Sequence, residues 1–479
     1  MKIKISAYIL FLLAVTASAA MGQSGSGAEE GDPFRNDPFF SKPLHELLNR
    51  PGHTGKDREN DGYNSEWSSR RYLGRINEEG IDFGGILEAG PYSSNPLYGL
   101  YPGLPMIHYN RVNGLFLGLR KERMQWWQDD WLSGIRSIQP HGMIGYSFGQ
   151  EEWQYTLGLE KFLGRKKHII IGGEYHNATS TNDHWRVGMM ETSLTSFFGG
   201  YDYLDYYKQT GWGGYLLLRT DRLFEGGIGF SDGRFSSLEQ ETDYALFGSG
   251  NRYRVNPPVE YAGGNRVDTV GISSLTFTAS FNPKRLVFSR YFTFSLTGSV
   301  EIGDPGIGSS DYSYTKYLGE LVSYINFEPG AIFKYRLKAG TIHGDAPLFK
   351  EFRLGGIGSL RALPYKSLPA SDELWAGGNQ MILSNAEIHF GSPTFGSDGW
   401  IDSDDFYLSL FLDSGWVSYR AEFEASDKSF ADFSTFRFSD LKHNGGVGLG
   451  SSFIRCELAW DLNHTSRAPV FWIRLNPTF

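Results

Sequence analysis

Residues 292–302, FTFSLTGSVEI, decide how the chain is read. Phe292, Phe294, Leu296, Val300 and Ile302 fall at every second place together with Gly298, and Thr293, Ser295, Thr297, Ser299 and Glu301 fill the places between. Side chains of a strand leave by alternate faces, so this spacing gives one greasy face and one wet face. The alternation holds over about ten residues, the length a tilted strand needs to cross a bilayer and longer than the usual strand of a soluble protein. The pattern returns in Phe406, Leu408, Leu410 and Leu412, opposed by Tyr407, Ser409, Phe411 and Asp413. Near the end Phe471, Ile473, Leu475 and Phe479 fall in register opposite Trp472, Arg474 and Asn476.

Composition agrees with strands. The 479 residues include 60 glycines and 15% aromatics, with 27 Tyr and 35 Phe against 8 Met, which suits strands and tight turns better than packed helices. A mean hydropathy of −0.34 is too polar for a bundle of membrane helices. A half-polar chain crosses a bilayer as a closed barrel with a wet interior, and this length holds either one large barrel or two to three ordinary domains. A soluble sandwich also alternates. Strand length, recurrent polar faces and an export signal favour the membrane barrel. The formal charge of −9, with no run of Lys and Arg interleaved with aromatics, disfavours a nucleic-acid partner.

The chain opens MKIKISAYILFLLAVTASAAMGQ. Lys2 and Lys4, an apolar run over 7–15 and small residues for cleavage after Ala19 or Gly22 read as an export signal over 1–22. No cysteine stands at the cleavage point, and no later segment has the apolar length of a membrane helix. Residues 23–75 are polar and turn-rich and read as a periplasmic extension, with one apolar interruption from Leu44 to Leu48. HELLN from His45 is half of a zinc-protease motif, but Asn49 stands where the second histidine belongs. The single cysteine, Cys456, makes neither an internal disulfide nor a metal site alone.

The barrel is expected over 76–479. Strand-like segments centre near Ile81, Val112, His141, Trp153, His168, Gly211, Leu223, Val267, Phe292, Lys316, Ala331, Gly377, Phe406, Gly446, Phe453 and Val470, about sixteen in all. An even number with both termini in the periplasm places long connections outside and short ones inside. Long ones span about 177–210, 232–266, 344–376 and 418–445; short ones lie at 164–167, 221–222 and 328–330. MQWWQDDWLSGI from Met124 and the turn between 391 and 405 break this rule, and the former reads as an interfacial helix carrying Trp126, Trp127 and Trp131.

Residues 354–367, LGGIGSLRALPYKS, lie in the long connection between the eleventh and twelfth strands of this count. Leu354, Ile357, Leu360 and Leu363 are out of place in a loop bathed in water and predict one that folds inward. FRLGGIGSLRALPY resembles the loop signature of the bacterial surface antigen family, the outer-membrane protein-assembly and two-partner-secretion barrels. The resemblance covers about 350–479. GGNQMILSNAEIHF is similar to the family's strand with an inward acid, here Glu387. FLDSGWV is similar to its Phe-x-Asp-x-Gly strand, which places Asp413 as a second acid; alternation alone also sets Asp413 on the wet face. GVGLG, ELAWDLN and the terminal Phe479 are similar to its closing strands.

The resemblance implies a sixteen-stranded transmembrane barrel in the outer membrane, with the loop between strands eleven and twelve tucked into the lumen. Gly355, Gly356, Leu360, Arg361 and Tyr365 form the loop motif, Arg361 meeting Glu387 and Asp413. Ala362 stands where the family has glycine and Leu363 where it has an aromatic, a place Tyr365 fills instead. The family's polypeptide-transport-associated domains have no counterpart here, so the chain reads as a barrel-only member. Phe479 resembles the signal read by barrel-assembly machinery and is also a lipid-facing aromatic. Expected partners are outer-membrane lipid, a polypeptide client and that machinery; no cofactor or metal is implied.

The function expected from the resemblance is assisting protein insertion into the outer membrane or translocation across it. A diffusion channel lined by Lys334, Arg336 and Lys338, or a structural barrel, is the alternative. An enzyme is disfavoured: Gly-x-Ser-x-Gly occurs at Gly145 and Gly229, but in strand segments without a following helix.

Overall fold

The computed structural model describes residues 105–121, 138–163, 169–220, 223–247, 253–262, 265–282, 292–327, 331–370, 375–390, 406–423, 431–450 and 454–475. The signal (1–22), the extension (23–75), the segment near Ile81, the tryptophan-rich stretch and Phe479 lie outside them.

Among the described residues sixteen antiparallel strands follow one another in chain order in one sheet. They are β1 Pro105–Asn110, β2 Gly114–Lys121, β3 Ile138–Ser147, β4 Glu152–Leu163, β5 Ile169–Ser180, β6 Tyr207–Thr220, β7 Phe224–Ser237 and β8 Thr269–Phe281. Then come β9 Phe292–Gly303, β10 Ser313–Phe327, β11 Ala331–Asp345, β12 Gln380–Phe390, β13 Tyr407–Ser418, β14 Lys442–Gly450, β15 Ile454–Asp461 and β16 Val470–Leu475. A separate small hairpin pairs Glu260–Ala262 with Asn265–Val267. Among the described residues no helix is long and apolar enough to cross a membrane.

The beginning of the barrel differs from the expected count. Val112 is not in a strand but in the turn between β1 and β2. The Asn110 side chain accepts hydrogen bonds from the backbone N–H of Val112 (3.0 Å) and Asn113 (2.7 Å), and Gly114 has φ +59°. An asparagine that folds the backbone over itself and a glycine that tolerates positive φ make a tight hairpin. The hairpin sets Gly114–Lys121 directly against Pro105–Asn110.

The faces are inverted relative to a soluble protein. In β13 Leu408, Leu410 and Leu412 are exposed while Ser409, Phe411 and Asp413 are buried. In β9 Leu296 is exposed whereas Thr293, Ser295 and Glu301 are buried, and in β16 Phe471 and Ile473 point out while Arg474 points in. Lys334, Arg336 and Lys338 of β11 are likewise buried. Polar inside and apolar outside is what lipid as solvent selects.

In such a meander the connections alternate between the two ends of the barrel. Those after β5, β7, β11 and β13 are long (181–206, 238–268, 346–379 and 419–441) and share one end. The first and third of these matter most, because they turn into the lumen. Leu354, Ile357 and Leu360 are at most 1% exposed, and Leu354, Leu360 and Leu363 share one apolar cluster with Tyr207, Phe235, Ile342, Met381 and Leu383. The 181–206 connection carries a short helix, α1 Met189–Leu194.

Candidate functional site

The inner wall of β12 to β15 carries acid at every strand but one: Glu387 on β12, Asp413 on β13 and Glu457 on β15, with Asn444 on β14. All four are buried. Buried carboxylates without a counter-ion are costly, so this wall calls for cations. Arg361 supplies one from the loop. Its Nε and Nη2 donate to Asp413 Oδ2 (2.8 Å) and Oδ1 (2.7 Å), a two-pronged pair. Its Nη1 donates to Glu387 Oε1 (2.8 Å) and Glu457 Oε1 (2.8 Å). The guanidinium also lies over the Phe411 ring, 3.5 Å from the centroid.

Neighbouring cations complete the charge balance. Arg455 Nη1 donates to Glu387 Oε2 (3.0 Å) and Arg455 Nε lies 2.8 Å from Glu457 Oε1. Arg336 reaches the group through Asn385, whose Oδ1 accepts from Arg336 Nη2 (2.7 Å) and whose Nδ2 donates to Asp413 Oδ1 (2.8 Å). Three carboxylates thus face two guanidinium groups in direct contact and a third through one amide. Backbone bonds hold the tip as well: Ala362 N donates to Asn444 Oδ1 (3.0 Å), and the Trp472 indole donates to the Arg361 carbonyl (2.8 Å).

The loop reaches the wall because its stem folds sharply. Leu354 and Leu368 exchange two backbone hydrogen bonds (3.0 and 2.9 Å), and Gly356 N donates to the Leu360 carbonyl (2.9 Å). Gly355 has φ +120°, and a Cβ there would lie 2.3 Å from the Pro364 carbonyl oxygen. Only glycine fits that corner.

A second lumenal loop locks the first. Arg186, from the 181–206 connection, donates to the Arg353 carbonyl, to Ser359 Oγ (2.9 Å) and to the Gly355 carbonyl (3.5 Å). Lys366 Nζ binds Asp183 Oδ2 (2.6 Å) and Asp205 Oδ2 (2.7 Å). Asp205 also pairs with Arg254 from the connection after β7. Burial by itself would raise the Asp205 pKa, but Arg254, Lys366, Arg111 and Arg353 together hold it below the usual carboxylate range. The last strand grips this second loop: Arg474 Nε donates to Glu191 Oε1 (2.8 Å), and Arg474 Nη2 to the Arg186 carbonyl (3.2 Å).

The structure therefore brings Arg361 together with Glu387 and Asp413. Leu360 is fully buried beside them in the lumenal apolar cluster. Tyr365 is elsewhere: it sits at the loop stem, with Arg254 4.6 Å over its ring and Tyr203 6.1 Å away between centroids. Ala362 packs with Phe411 and Ala459 where the expected glycine would leave space. Glu457 and Arg455 were not singled out from sequence, although alternation against the exposed Ile454 and Leu458 sets both on the wet face. The serines of the two Gly-x-Ser-x-Gly matches lie in β3 and β7, Ser147 bonded to the Asn113 carbonyl and Ser231 to Ser274. Among the described residues no group of three or more His, Cys, Asp or Glu side chains is placed to hold a metal ion.

No curated protein matches the chain. Among solved structures, BamA from Haemophilus ducreyi lacking POTRA domains 1–3 is similar at 15% identity and TM-score 0.46, over 77% of this chain and 67% of that one. CdiB from Acinetobacter baumannii (10% identity, TM-score 0.39) and CdiB from Escherichia coli (12%, 0.36) are similar over 78% of this chain, which spans 59% and 66% of theirs. The stretch that holds β9 to β14, the arginine loop and both Glu387 and Asp413, residues 278–453, matches the model of the Omp85 superfamily domain.

Proposed function

We propose that this protein is a protein-handling barrel of the bacterial outer membrane, which assists polypeptides in inserting into that membrane or crossing it. In this reading residues 1–22 direct export, 23–75 remain in the periplasm and the terminal Phe479 serves barrel assembly. The observation that carries the proposal is the delivery of Arg361 across the lumen onto Asp413, Glu387 and Glu457. It supports a loop held as an internal plug by charge, in a domain of the Omp85 superfamily. A plug that is ionic rather than covalent is releasable, as passage or remodelling at the lumen requires. Two loops occupy the lumen and meet at Arg186, which argues against a permanently open diffusion channel.

The test is quantitative proteomics of the outer membrane and of secreted protein after depletion of this protein in its own host. Selective loss of one or a few proteins is expected and names the clients. An unaltered inventory overturns the proposal in favour of a solute channel or a structural barrel. Client recognition falls to the barrel, to the extension or to a separate periplasmic protein.

A further inference from the structure

The connection between β5 and β6 does not stay on one side of the wall. Met189 packs with Met106, Phe116 and Met143, whose side chains face the lumen. Four residues on, Ser193 Oγ accepts a hydrogen bond from the backbone N–H of Tyr109 (3.2 Å), on the edge of β1 that pairs with no strand among the described residues. Phe197 then meets the Tyr109 ring edge-on, centroids 5.4 Å apart. Tyr109 is paired with Leu115 and lies two places from Ile107, both exposed on the outer face, so its ring stands on that face too. The segment runs from the lumen, past the edge of β1 opposite β2, to the outside.

There it is joined by the connection after β7. The Tyr109 hydroxyl donates to the Tyr244 carbonyl (2.8 Å), and the backbone N–H groups of Leu246 and Phe247 donate to the carbonyls of Phe197 (2.7 Å) and Phe198 (2.9 Å). Phe198 and Phe247 stack, 5.9 Å apart and 16° from parallel. Phe247 is 79% exposed and Tyr244 55%.

We propose that this aromatic ledge seats in the lipid of the outer leaflet, as a membrane contact beside the first strand. Two observations choose lipid over water or protein. Through Tyr109 the ledge is continuous with the face that carries Ile107, Leu115 and Leu117, which is the lipid face of the barrel. Aromatic side chains are also what flanks the apolar band of a membrane barrel at its interfaces. The proposal holds whether or not the barrel handles polypeptides.

The full chain, with Cys456→Ser to remove its native thiol, is purified with Phe247→Cys and, separately, Phe198→Cys, each labelled with bimane and reconstituted into phosphatidylcholine vesicles. Leu119→Cys on the outer face and Ser439→Cys in an exposed turn are the lipid and water references. Brominated phosphatidylcholine is expected to quench both ledge sites to the extent seen at 119, with iodide quenching them several-fold less than at 439. Quenching by iodide as strong as at 439 overturns the proposal, because the ledge then lies in water. Protection from both quenchers also overturns it, because the ledge is then covered by another part of the chain or by a second copy.

Discussion

Removing the Arg361 side chain takes its guanidinium from Asp413, Glu387 and Glu457, while Arg455 stays on Glu387 and Glu457. A buried charge that loses its partner costs about 3–5 kcal/mol, more than forming the pair contributes, because desolvation is no longer offset. Arg361→Ala should therefore lower the unfolding free energy in detergent by about that amount and expose the 346–379 loop to protease. Equal stability and equal resistance would contradict the plug. Arg361→Lys should recover only part of the loss, since one ammonium cannot reproduce the fork on Asp413 while reaching Glu387 and Glu457. Gly358 offers a second residue-level test. It has φ +75°, and a Cβ there would lie 2.6 Å from the Arg186 backbone. Gly358→Ala should cost about 1–3 kcal/mol through strain and loosen the loop in the same proteolysis assay, with the ion cluster left intact in sequence.

Between elements, the contact that sets the plug is the one from 181–206 to 346–379, and its charges give it a pH dependence. Asp205 titrates below the usual carboxylate range in the folded protein. A depressed carboxylate contributes stability in full above its unfolded pKa of about 4 and loses it as pH falls below that value. Protease sensitivity of the loop should therefore stay flat from neutral pH down to about pH 5 and rise below about pH 4. In Asp205→Asn the loop should be looser at neutral pH and the acid-dependent rise smaller; an unchanged profile would assign the acid response elsewhere. This contact was not legible in the sequence. Arg186 and Ser359 are 173 residues apart and carry no shared motif, whereas β9, β13 and β16 announced themselves because lipid and lumen impose opposite polarity on alternate residues. Glu387 and Asp413 stood out through family resemblance, and Asp413 also through alternation. Glu457 obeyed the same alternation but lay in a stretch read only as a closing strand. β1 and β2 were hidden by a turn built from Asn110 and Gly114 where a single strand was expected.

For the molecule as a whole, the first and last strands are joined through the lumen. α1 touches β1 through Ser193 and β16 through Glu191, and the Glu191–Arg474 pair is about 2% exposed on both sides. That ion pair therefore couples the position of the inner loops to the closure of the barrel. Reversing one charge, by Glu191→Arg or Arg474→Glu, buries two like charges beside each other, a penalty of several kcal/mol that α1 relieves by leaving the wall. Each single variant should then conduct more, and fluctuate more, than the native protein in planar bilayers. The double exchange, Glu191→Arg with Arg474→Glu, restores the attraction and should return conductance most of the way to the native level, which loss of folding alone would not do. If single variants that fold and insert conduct like the native barrel, α1 does not close it, and the plug rests on the Arg361 cluster alone.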